Sequence, residues 1–92
     1  MRVRWSPDAA EDLASIYRYQ KAAWPARAQT TVTALYSAIM SLPGAPHKGR
    51  PGRNPGTREL VISPMPYLIV YRVEREAIQI VRIRHASQGW TQ

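Results

Sequence analysis

The chain has no cysteine, no phenylalanine and only six acids, and each shortage closes a route. Without thiols neither a disulfide framework nor a thiolate metal site can form, and the chain is compatible with a reducing cytoplasm. No apolar run approaches the ~20 residues that span a bilayer. Met1-Arg2-Val3-Arg4-Trp5 lacks the apolar stretch of a signal peptide, so a soluble cytoplasmic protein is expected. There is no glycine-rich phosphate loop and no carboxylate cluster, and the two histidines, His47 and His85, lie far apart. Neither a metal site nor a cofactor is expected.

What is present is an arginine surplus. Thirteen Lys and Arg face six acids, a net charge of +7, and Lys21 and Lys48 are the only lysines. So large a surplus in one small domain predicts a partner of opposite sign, nucleic acid or an acidic protein. Arginine forks suit bidentate contact with phosphate or carboxylate better than solubility alone requires. Ninety-two residues make a single domain, 1–92, that can bury roughly 60% of its unfolded surface.

The spacing predicts α+β architecture. Val3-Arg4-Trp5 alternates as a short strand, and Ser6-Pro7 starts a helix: a hydroxyl cap, proline at the first helical position, then Asp8, Glu11 and Asp12 near the positive dipole end. Ala9, Leu13, Ile16, Tyr17 and Gln20 recur at helical spacing. Trp24-Pro25 breaks that register, and a second helix is expected to about Leu42 with Ala28, Val32, Leu35, Tyr36, Ile39 and Leu42 on one face. The two form a hairpin that can lie on a sheet. Residues 43–56 hold four of the eight prolines and four of the five glycines, with His47, Lys48, Arg50 and Arg53. A long basic loop is expected there, contacting phosphate or a partner, or else a solvated linker. Three apolar runs follow, at 59–62, 67–73 and 78–83, as consecutive antiparallel strands. The middle run is apolar almost throughout, as suits a central strand covered on both faces.

One constellation carries possible chemistry. Arg82 and Arg84 share a strand face and His85 points away from them, while Arg58 and Arg72 could join the same positive field. Cleavage of a phosphodiester at a 2′-hydroxyl needs a base, an acid and cations for the developing charge. His85 could serve as acid or base, Glu59 as base, and Arg58, Arg82 or Arg84 as the cation. Each has a structural counterpart, since Arg58 and Glu59 can equally pair with charges on adjacent strands.

The element order, with Gly56-Thr57-Arg58-Glu59-Leu60, Tyr67 to Val73 and Arg82-Ile83-Arg84-His85, resembles the RelE/ParE superfamily of toxins from bacterial type II toxin–antitoxin modules. The likeness runs from Val3 to Trp90. It implies a β-α-α-β-β-β fold, a helical hairpin on a twisted, mainly antiparallel sheet, and a growth-inhibiting toxin. It also implies a cognate antitoxin whose acidic C-terminal segment wraps the chain, with Lys48, Arg50, Arg53, Arg84 and Trp90 as partner contacts. RelE-like members cut mRNA on the ribosome with basic residues and, in many, a C-terminal tyrosine; ParE-like members chiefly poison DNA gyrase. This chain has no tyrosine after Tyr71 and no lysine after Lys48, and its Tyr71-Arg72-Val73 and Arg82 to His85 strings resemble ParE more closely. Gyrase inhibition, mRNA cleavage by Arg82, Arg84, His85, Arg58 and Glu59, and a non-toxic nucleic-acid-binding module are the three readings.

Overall fold

In a computed structural model, which describes residues 1–86, strand β1 (Arg2–Trp5) leads into helices α1 (Pro7–Ala23) and α2 (Pro25–Met40). Ser6 caps α1 by accepting from the Ala9 amide at 2.9 Å, and its hydroxyl donates to the Val81 carbonyl at 2.8 Å. One side chain thus starts the helix and ties it to the far end of the sequence. Pro25 opens α2 without any side-chain cap, because Trp24 offers no acceptor. α2 ends at Met40, short of the expected Leu42, and residues 42–44 make one 3-10 turn. The buried line of α2 is Ala28, Thr31, Leu35 and Ile39; Tyr36, expected on that face, is 50% exposed. The hairpin loses its register at Pro25, so the second stripe is rotated relative to a continuous helix.

The sheet has five strands in the order β1-β5-β4-β3-β2, the last four being β2 (Arg50–Pro51), β3 (Arg58–Ile62), β4 (Tyr67–Val73) and β5 (Ala77–His85). β1 runs parallel to β5 and every other pair is antiparallel. β4 is central, and Tyr67 to Tyr71 are all buried. The expected four-strand order gains a fifth member, since Arg50 and Pro51 pair with Glu59 and Arg58 inside what reads as pure loop. Proline is tolerated there because β2 is an edge strand that need not donate on its outer side.

Alternation puts Leu60 of β3, Ile69 and Tyr71 of β4, and Ile78, Ile80 and Ile83 of β5 on the side that meets Ala9, Ile39 and Leu42. The isoleucines are spaced two and then three apart. Val81 supplies the extra residue: Val70 faces Arg82 and Tyr71 faces Ile80, a bulge that returns Ile83 to the core. Tyr71, fully buried, accepts from the Gly49 amide at 2.9 Å and donates to the Pro46 carbonyl at 2.7 Å. A Cβ at Gly49 would come within 2.8 Å of that ring, so the loop closes over it only with glycine.

Candidate functional site

Strand β1 stops pairing at Ile80, but β5 continues to His85. Half of one strand edge is therefore open, a place where chains commonly add a strand or cover the edge. Here α1 partly covers it: Asp12 accepts from the Ile83 amide at 2.8 Å and from the Arg82 guanidinium at 2.8 and 3.0 Å. The paired carboxylate raises the Arg82 pKa above the usual arginine value, chiefly through the Asp12 hydrogen bond, with burial opposing it. Beside this bridge lies an open groove of about 720 Å³ between α1 and the end of β5, lined among others by Ile16, Tyr19, Trp24, Arg27, Tyr67, Arg84 and His85. Its upper wall is aromatic and partly exposed: Tyr19 and Trp24 meet edge to face at 6.2 Å, and Arg27 lies over Trp24 at 5.7 Å. Its floor is polar, with Gln20 donating to the Tyr67 hydroxyl at 3.2 Å.

Three of the catalytic candidates, Arg82, Arg84 and His85, line this groove, and Arg58 and Glu59 do not join them. Arg82 and Arg84 alternate onto the strand face of Val70 and Leu68, but Arg82, at the open edge of β5, turns its guanidinium to Asp12 of α1. His85 lies on the other side, packed edge to face on Tyr67 at 5.6 Å. Arg58 is not in the field of Arg82 and Arg84: it stands two strands away opposite Tyr71, on the helix side, and donates to the Gly49 carbonyl at 2.7 Å. Arg72 does share their face. Glu59 is 5% exposed and held by the Arg50 guanidinium at 3.1 Å and the Arg53 amide at 3.0 Å. The structural alternative for Glu59 is thus the one observed, a cross-strand pair with the residue its register places opposite.

Of the partner-contact candidates, Lys48, Arg50 and Arg53 sit on the exposed segment between the 3-10 turn and β3, and Arg84 on β5 at the groove. Trp90 lies outside the described residues. Asp12, Gln20, Trp24 and Tyr67 were not singled out for this site. Asp12 had a legible signal, an acid one turn beyond the dipole end and one step off the apolar stripe. No group of His, Asp and Glu capable of holding a metal ion occurs among the described residues, and no described helix is long and apolar enough to cross a membrane.

A helical hairpin laid on a five-stranded, mostly antiparallel sheet, with a basic loop over one end, defines a type II toxin of the RelE/ParE superfamily. The chain belongs to the ParE toxin family of type II toxin–antitoxin systems, whose family model matches residues 3–90. It is 38% identical over 91 residues to a Sinorhizobium fredii toxin, Y4kP, covering 99% of this chain and 94% of the relative. It is 39% identical over 87 residues to toxin RelE2 of Caulobacter vibrioides, covering 95% and 97%. Among solved structures, the chromosomal ParDE system of P. aeruginosa superposes with a TM-score of 0.87 at 30% identity, covering 95% of this chain and 97% of that one.

Proposed function

We propose that this toxin arrests growth in the bacterial cytoplasm by contacting DNA gyrase, and that a cognate antitoxin with an acidic C-terminal segment wraps and neutralises it. The observation that carries the gyrase reading is the make-up of the helix-free sheet face. Its one strand carboxylate, Glu59, is buried and paired, and its central positions are Val61, Leu68 and Val70. Among the described residues, the strands of that face offer no exposed carboxylate base to a 2′-hydroxyl. Protein contact needs none. For the antitoxin, the open half-edge of β5 and the aromatic groove beside it suit a strand or amphipathic helix, and Lys48, Arg53 and Arg84 suit its acids. Purified toxin at about micromolar concentration, a range in which specific protein contacts are populated, should inhibit gyrase supercoiling. Unaltered supercoiling removes the gyrase reading.

A ribosome-dependent mRNA interferase is the second reading, favoured by Arg82, Arg84 and His85 lining one groove and by the likeness to a relative named RelE2. It expects codon-positioned cuts in primer extension on translated messages, abolished by His85→Ala. Intact messages during growth arrest exclude it.

A further inference from the structure

The six acids are unevenly placed. Asp8, Glu11 and Asp12 lie on α1, Glu59 is neutralised by Arg50, and Glu74 and Glu76 flank Arg75 at the β4–β5 turn. On the helix-free side, β1 and the adjoining part of β4 carry arginine. Arg4 of β1 pairs with Gln79 of β5, and Gln79 pairs with Arg72 of β4, so the three form one row across the sheet. Opposed residues are about 5 Å apart at each step, which sets the two arginine Cα atoms about 10 Å apart with an amide between them. Arg4 is exposed, and Arg2, also exposed, flanks the row one pleat further along β1. Arg72 spends one of its donors on the Pro55 carbonyl at 3.3 Å. That bond steers its guanidinium over Gly56, where a Cβ would come within 2.7 Å of it.

We propose that this row, Arg4, Gln79 and Arg72 with Arg2 beside it, is a contact surface for the phosphate backbone of duplex DNA. Phosphate contact asks for spaced cations and amide donors and for no pocket, which describes the row. Single-stranded nucleic acid is held largely by stacking on aromatic rings, and the strand tyrosines Tyr67 and Tyr71 both face the helices. An acidic peptide would seek apolar anchor pockets, and those lie at the groove beside α1. The surface goes beyond the gyrase reading: it would set the toxin directly on the nucleic acid that such a target holds.

The test is fluorescence anisotropy of the full chain with a labelled DNA duplex of about two helical turns, over about 50 to 300 mM salt, with no gyrase present. DNA contact and gyrase inhibition can then fail separately. Affinity should fall linearly on log–log axes with salt. Arg4→Gln with Arg72→Gln should weaken binding about tenfold or more and flatten the slope by about 2. Arg18→Gln, on the exposed side of α1 in a pair with Glu11, should leave both unchanged. Matched melting curves show that each variant is folded. Absence of salt-dependent duplex binding, equal loss in Arg18→Gln, tighter binding of oligothymidine than of duplex, or an affinity for a polyglutamate peptide that exceeds that for duplex and falls in the Arg4→Gln, Arg72→Gln variant would each overturn the proposal.

Discussion

Single side chains carry more of this fold than their number suggests, and Tyr71 shows how. Its ring fills the centre of the core, while its hydroxyl holds the Pro46 carbonyl and the Gly49 amide of the basic loop. Tyr71→Phe keeps the ring but leaves that amide and carbonyl without a partner. We expect a loss of about 1–3 kcal/mol, read as a melting temperature lower by about 4–8 °C per kcal/mol in a domain of this size. Asp12 is the second case. Asp12→Ala removes the acceptor of the Ile83 amide and the partner of Arg82, and should cost about 2 kcal/mol in urea unfolding. The pH sign follows from the raised Arg82 pKa: the stabilisation linked to Arg82's own proton is complete below the unfolded arginine's pKa and is lost as pH rises through the higher folded value. Neutral and acidic titrations should therefore show no loss traceable to Arg82. The second role of Tyr71 was not legible in the sequence. A tyrosine in an apolar run reads as core, but which carbonyl its hydroxyl meets depends on a loop whose path proline and glycine leave open.

At the scale of elements, the bulge at Val81 decides which side of β5 faces the helices. Deleting Val81 removes the extra residue, and strict alternation from Ile80 then still turns Arg82 and Arg84 outward and Ile83 inward. The expected outcome is a cooperative melting transition retained by circular dichroism. Loss of that transition would show that Val81 does more than restore the register. The three last strands and both helices could be read from hydrophobic period and from Ser6-Pro7 and Trp24-Pro25. The short β2 could not, because two residues with proline carry no periodic signal and pair only once β3 is in place.

For the whole molecule, the net charge of +7 is distributed as two separate features. One is the basic loop at the β2–β3 edge, across the sheet from the aromatic groove; the other is the arginine row on the helix-free face. Long-range attraction should speed encounter with an acidic antitoxin segment. Its association rate, measured by stopped flow, should fall on the order of tenfold or more between low and high salt, with dissociation changing far less. An association rate insensitive to salt would remove charge steering from the account.

The sequence alone determined the element types and the toxin superfamily, because period, capping and the order of motifs are local. Only the folded chain decided which arginines act together. Arg58 was assigned to one field with Arg82 and Arg84, yet pleat alternation sends it to the helix side and two strands across. Arg4, far from Arg72 in the chain, becomes its neighbour across Gln79 because a parallel strand pairs the first residues with the last. Which charges share a face is fixed by register and strand order, and neither is written in the spacing of any one segment.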